Sequence, residues 1–374
     1  MRRSVLKLFL AGAFAGFAGV APAADQVRAQ SAPGPYAWQQ SGGWQEQGWA
    51  DPAEVGPGYT TVGGTTGHFE EGTGPTSWYA PPDYDITFMA GMQWLSRTGG
   101  LFDQTLVVEI PPLSTPLLGS ESLDFDGQFR PGAIFQLGLN ADQVSGVDLI
   151  YWGLNSYDTR QTVTNPNLMG LAGTLQLATN DFIFSDFFQL DYESTLHNFE
   201  ANYRQTIEQG TMLVGFRYFN LDERLDILSK NANTQTASDY IVDAHNHLVG
   251  GQVGAGWHHD WTRVRFAIDT KFGVFANAAS QETYLGDFGN TFVRRNYRAE
   301  SMPVSMISDS TLSLKTQLTD WLAFDIGYRL MWVGNVALAP NQLDLSDSPE
   351  GTTVINAHQG LFLNGLFLGF DARW

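Results

Sequence analysis

The sequence predicts an all-β protein: a single antiparallel transmembrane β-barrel of about ten strands, from Tyr84 to Trp374, behind a signal peptide and a disordered linker. Three observations carry this. Runs of ten or more residues alternate strictly between apolar and polar. No apolar stretch after the N-terminus reaches the ~20 residues a helical span needs. Short and long connections alternate along the chain, as they do between strands that cross a membrane and return.

The first 23 residues have the form of a secretory signal peptide. Arg2, Arg3 and Lys7 open it, an acid-free apolar stretch from Val5 to Val20 follows, and Ala21-Pro22-Ala23 supplies a small-x-small cleavage site. Residues 24–82 then change in character. Gly and Pro make up 18 of these 59 residues, and Trp38, Trp44 and Trp49 stand among Gly, Gln and Ser without period. Such a stretch is read as a disordered linker, because it has too little apolar surface to offset the entropy of folding.

Beyond Tyr84 the period is two. Leu322, Phe324, Ile326, Tyr328, Leu330 and Trp332 share one face, against Ala323, Asp325, Gly327, Arg329 and Met331. Val264, Phe266, Ile268, Phe272 and Val274 repeat this against Arg263, Arg265, Asp269 and Lys271. Phe188, Leu190, Tyr192 and Leu196 oppose Gln189, Asp191, Glu193 and His197. A soluble sandwich alternates too, with its apolar face inward. The length of the runs, and a polar face carrying both signs of charge, favour the barrel.

Ten strands are expected, near 84–96, 128–140, 144–158, 187–205, 209–224, 240–258, 261–277, 303–318, 321–337 and 357–374. Connections after even strands are short and those after odd strands long. Both termini therefore fall on the short-turn, periplasmic side. The segments 159–185, 225–239, 278–302 and 339–354 are expected as loops outside the cell. Trp257, Trp261 and Trp321 flank the short turns, as an interfacial aromatic girdle would. The segment 105–110 belongs to the first outer loop, or else opens a twelve-strand variant. The chain ends on an alternating strand with Phe370 and Trp374 on its apolar face, the form of signal that outer-membrane assembly machinery reads.

Charge and motif exclude several functions. Removing the signal leaves 17 Lys and Arg against 39 Asp and Glu, a net charge of −22. No positive groove for nucleic acid is to be had from that balance. The absence of cysteine excludes disulfides and lipid attachment. His247 and His258 lie eleven residues apart on one strand, ~36 Å when extended, and cannot share an ion. His245 and His247 alone are two ligands where structural zinc takes four. No G-x-S-x-G elbow occurs, so neither a metal, a cofactor nor an enzyme activity is expected.

Strand parity instead nominates a charged lumen lining: Asp191, Glu193, Arg217, Arg263, Arg265, Asp269, Lys271, Asp325 and Arg329. Five are basic and four acidic. A selective pore usually shows one dominant sign, so near-balance points to mutual pairing.

Four stretches resemble a known family. They are STLHNFEANYRQTIEQGTMLVGFRYFNLDERLDI (194–227), HNHLVGGQVGAGW (245–257), LSLKTQLTDWLAFDIGYRLMWVGNVALAPNQLD (312–344) and INAHQGLFLNGLFLGF (355–370). Together they are similar to the β-barrel porin family numbered seven, over roughly Tyr84 to the end. The resemblance implies an outer-membrane location and carries over no substrate or catalytic residue. The expected function is an integral outer-membrane barrel with a narrow, charge-filled lumen and a structural or surface role, exported from a Gram-negative-type bacterium and embedded in membrane lipids. The alternatives are a porin-like diffusion channel for small solutes and a secreted soluble β-rich binding protein.

Overall fold

Side chains alternate across a strand, so a run that is greasy on one parity and polar on the other folds where its two faces meet different media. In the computed structural model this organises nearly the whole body of the chain. The structure describes residues 86–374 apart from 102, 111–114, 126, 142–143, 208–209, 232 and 349–353. The expected signal peptide and the linker with its tryptophans lie outside the described residues.

Thirteen strands are described: β1 (Ile86–Thr98), β2 (Thr105–Glu109), β3 (Pro116–Gly119), β4 (Phe129–Asn140), β5 (Ser145–Leu171), β6 (Ser185–Ile207), β7 (Gly210–Asn231), β8 (Thr236–Trp261), β9 (Val264–Asp287), β10 (Phe292–Ser301), β11 (Val304–Gln317), β12 (Leu322–Val336) and β13 (Gln359–Arg373). Ten form a closed antiparallel ring in the order β1-β4-β5-β6-β7-β8-β9-β11-β12-β13 and back to β1. At the closing seam Gly91 faces Gly369. A Cβ on Gly91 would stand 2.3 Å from the Leu368 carbonyl, so that approach requires glycine. The backbones of Ile86 and Trp374 exchange two hydrogen bonds of 3.2 and 3.1 Å, and both ends of the barrel chain thus lie beside the short turns.

The segment 105–110 does not enter the ring. Its strand β2 pairs with the far end of β5, Val107 opposite Leu171, and the barrel has ten strands rather than twelve.

The wall is uneven. β1, β4, β11, β12 and β13 have 12–15 residues, whereas β5 to β9 have 22–27. A tilted membrane strand needs only about 9–11. One side of the barrel therefore stands well clear of the bilayer, extended by β10 on the edge of β9.

Along that tall side the alternation changes sign. On β7 the outward residues are Met212, Val214, Phe216 and Tyr218, then Asn220, Asp222, Arg224 and Asp226. The inward residues above Arg217 are apolar apart from Glu223: Phe219, Leu221, Leu225 and Ile227 are all buried. Below the reversal the wall is apolar outside, toward lipid. Above it the wall is apolar inside, like any soluble sheet. The boundary is a belt of Tyr–His pairs on the outer face, Tyr151 with His197 (3.1 Å) and Tyr218 with His247 (3.0 Å). At the other rim Trp257 stacks on His259, Trp261 meets His259 edge-on, and Trp321 is exposed.

Three of the four expected outer loops are corrected by this. Residues 225–231 and 236–239 belong to β7 and β8, residues 278–287 and 292–301 to β9 and β10, and residues 159–171 to β5. Tertiary packing above the membrane carries the strands on. The fourth, 339–354, is no surface loop over its described part. Ala337, Leu338, Ala339 and Leu343 are buried inside the upper barrel. Asn246 holds this segment by bonding both the carbonyl (2.7 Å) and the amide (2.8 Å) of Ala337. Arg295 donates to the carbonyls of Asp344 (2.7 Å), Ser346 and Ser348. Protease added to intact cells should therefore cut at the exposed turn residues 233–235 and 288–291 and spare 337–345. Cleavage at the short turn joining β6 and β7 would invert the topology.

The outer face above the boundary is acidic. Asp226 lies directly across from Asp191 on β6, and its carboxyl is pushed up to about 6, by burial first and then by Asp239. An acid raised in the fold destabilises it when ionised, so stability is expected to rise as pH falls from above 6 toward the ordinary aspartate value of 3.8. Asp226→Asn should then stabilise the protein by on the order of 1 kcal/mol at pH 7.5, after screening by solvent, and change little at pH 4. Denaturant melts at the two pH values check this; equal effects would refute it.

Candidate functional site: the barrel interior

Within the membrane span the inward face is polar because the outward parity is committed to lipid. Every inward charge must then find a partner among other inward residues. Arg217 on β7 contacts Glu200 on β6 (2.5 Å) and Asp309 on β11 (2.7 Å). Lys271 on β9 reaches Glu200 (2.8 Å) and lies 3.7 Å from Asp309. Arg329 on β12 stands 3.4 Å from Asp309, donates to Gln93 on β1 (3.0 Å), and lies over the Trp152 ring of β5 at 5.2 Å. Asn198, Asn202 and Gln252 donate to the remaining Glu200 lone pairs at 2.8–3.1 Å.

The Arg217–Glu200, Arg329–Asp309 and Lys271–Asp309 pairs join neighbouring strands, whereas Lys271–Glu200, Arg217–Asp309 and the Arg329 contacts with Gln93 and Trp152 run across the ring. Two to three strands separate Glu200 from Lys271 and Asp309, and three separate Arg329 from Trp152. The side chains of Glu200 and Asp309 are 0% exposed, Arg217 1% and Lys271 9%. Toward the short turns three further groups pair locally. Lys315 meets Asp371 (2.5 Å) and Asp325 (3.6 Å), Arg204 meets Asp148 (2.9 Å), and Arg265 meets Asp260 (2.6 Å). Above the central layer Arg97 contacts Glu223 (2.6 Å), Ser194 (2.5 Å) and Tyr192 (3.0 Å). The other Glu223 oxygen accepts the amide of Ala339 (2.9 Å), which ties the inserted segment to the same cluster.

The family is decided by the chain as a whole. The family model described as "Putative beta barrel porin-7" matches residues 111–374. The chain belongs to that family. It is an outer-membrane β-barrel protein of porin type. No curated protein matches it. Among solved structures the porin-family chain is similar to the outer-membrane protease OmpT of Escherichia coli, at 9% identity and a TM-score of 0.42, over 78% of this chain and 97% of that one. It is also similar to the translocator domain of the autotransporter NalP of Neisseria meningitidis, at 8% identity and TM-score 0.36, over 78% and 90%. The toluene transporter TodX of P. putida follows at 8% and 0.27, over 78% and 91%.

Of the nine charged residues read as lumen lining in this porin-type chain, Arg217, Lys271, Asp325 and Arg329 are buried on the inward face, and Arg265 and Asp269 share that face half-buried. Three stand elsewhere. Asp191 and Glu193 point outward on β6, with Asp191 bound by the exposed Arg160 at 2.5 Å. They lie above the sign reversal, where the apolar partners Leu190 and Tyr192 turn inward instead. Arg263 is exposed in the turn between β8 and β9, one residue short of the strand. The residues that sequence reasoning missed are the acids Glu200 and Asp309. Both were legible in principle. Phe199 to Arg204 alternates with Glu200, Asn202 and Arg204 on one parity, and Asp309 shares its parity with Lys315. Phe370 leans on Phe324 at 5.5 Å between ring centres, and Trp374 is exposed beside the closing seam.

Proposed function

We propose that the protein is a non-conducting outer-membrane barrel with a structural or surface role, whose lumen is filled by mutually paired charges. The single observation that supports this best is the transverse layer of Arg217, Glu200, Lys271, Asp309 and Arg329. Fully buried ions paired across the ring leave water no path at that level, and an open pore lined by the same groups would keep them hydrated. A lumen of ten strands is only slightly wider than the eight-strand case that side chains fill, and far from the ~16 of an aqueous porin. The inserted segment around Leu338 and Leu343 adds a second, apolar obstruction above it. Export through a cleaved N-terminal signal, and recognition of the last strand through Phe370 and Trp374 by the assembly machinery, complete the reading.

Single-channel recording on the purified full chain in a planar bilayer tests it. The expected record holds no sustained open steps. Stable steps on the nanosiemens scale would overturn the closed lumen and establish a diffusion channel for small solutes.

A further inference from the structure

The membrane-distal tip of the tall wall is made by residues of three connections, 172–184, 233–235 and 288–291. Two buried carboxylates knit them together. Asp181 accepts bonds from Thr236 (2.5 Å), Ser238 (2.6 Å) and the amide of Gly289 (2.8 Å). Asp287 accepts the amides of Asn180 and Asp181, both at 3.0 Å, and the Arg294 guanidinium at 2.8 Å. The acids of the tip are thereby consumed internally. What the turns themselves expose is uncharged: Asn180, Asn233, Thr234, Gln235 and Thr291, with Leu177, Phe184 and Phe288, while the exposed Lys230 flanks them on β7. In a chain of 39 acids this is a chemical exception.

Backbone strain gathers at the same place. Five non-glycine residues among those described have positive φ, and four of them, Phe184 (57°), Gln235 (55°), Phe288 (51°) and Asn290 (61°), belong to these connections. Asn290 has a local reason, since its amide bonds Asp239 at both ends. The two phenylalanine side chains have none among the described residues, although the Phe288 carbonyl accepts the Thr291 amide (3.3 Å) and hydroxyl (2.6 Å) in its turn. A bulky residue in the left-handed region is a true outlier. Burial does not offset it here, because the rings are 43% and 47% exposed. Strain held by a rigid surround, at a side chain the fold does not use, is the signature of a functional position.

We propose that this tip binds a neutral polysaccharide, with the Phe184 and Phe288 rings as stacking platforms. An aromatic face suits the C–H face of a sugar ring, and the surrounding amides and hydroxyls both donate and accept, as sugar hydroxyls require. The net charge of −22 left once the signal is removed repels acidic polymers and leaves neutral ones. The proposal rests on the long-loop end facing outside the cell and is independent of whether the lumen conducts.

The left-handed φ supplies a clean test. Glycine is at ease there, so Phe184→Gly with Phe288→Gly removes both rings while relieving the backbone. Full-length protein in detergent would be measured against immobilised dextran, amylose and mannan, with alginate as the anionic control and phosphatidylcholine vesicles as the lipid control. The parent is expected to bind at least one neutral polymer and neither control. Two lost aromatic contacts are expected to weaken binding about ten-fold or more. The variant should unfold at the parent's temperature or above it. No retention on any neutral polymer, unchanged binding by the glycine variant, or equal binding to alginate or vesicles would each overturn the proposal. A lower unfolding temperature would assign the rings to the fold and overturn it as well. Bilayer recording of the same preparation reports on the lumen separately.

Discussion

Replacing Glu200 by glutamine is expected to cost about 3–5 kcal/mol of barrel stability, the usual consequence of removing one partner from a buried ion network. Glu200 is the acceptor on which Arg217, Lys271 and Gln252 converge, and its carboxylate is fully buried. Glutamine keeps the shape and part of the hydrogen bonding, so the loss reports the charge. Lys271 would be left within reach of Asp309 only at 3.7 Å. The temperature at which the folded band converts on an SDS gel, together with denaturant melts, measures the effect. Adding Lys271→Met should recover part of it, because the stranded cation goes too; a double-mutant cycle isolates that coupling. If Glu200→Gln melts like the parent, the layer is hydrated and the closed-lumen proposal falls with it.

The second large effect concerns which medium each parity faces. Ile326→Arg and Ile268→Arg, both outward and in the apolar belt, are expected to cost ~2–4 kcal/mol each, as an arginine near the bilayer midplane does. On β7 the same logic reverses within a few residues. Val214→Arg should be costly, whereas Thr195→Arg on the neighbouring β6, outward but above the Tyr–His belt, should lie within about 0.5 kcal/mol of neutral. Leu225→Ala, inward at that height and fully buried, should cost ~2–5 kcal/mol through lost transfer and a cavity. Equal penalties at Val214 and Thr195 would mean that lipid reaches the upper wall and that the boundary is misplaced.

The ten ring strands, their order and the rim at which Ile86 and Trp374 meet were legible in the sequence. Periodicity is local, and a membrane imposes it strongly. What misled was the meaning of parity. Leu190, Tyr192 and Leu196 alternate with Asp191 and Glu193 as cleanly as Ile326 and Leu330 alternate with Asp325 and Arg329. In lipid the greasy parity faces out, and in water it faces in. One pattern thus has two opposite readings, and only the height of the residue above the bilayer distinguishes them. The outer loops at 225–239 and 278–302 were lost for the same reason, since polar outward residues there made strands look like coil. The ion layer was illegible as a set of contacts. Glu200 and Arg217 face each other within one hairpin, but Arg217 meets Asp309, 92 residues on, only once the ring has closed.

The reversal on β5 to β9 also fixes how deep the barrel sits. Sinking by one residue pair would draw His197, Asn220 and His247 into hydrocarbon, and rising by one would lift Phe199, Tyr218 and Val249 into water. Both displacements are opposed at the other rim by Trp257, Trp261 and Trp321. Such a wall has no freedom to slide along the bilayer normal. In a membrane thinner or thicker than its belt the lipid must do the adjusting, stretching or compressing around a body that behaves as a rigid gauge.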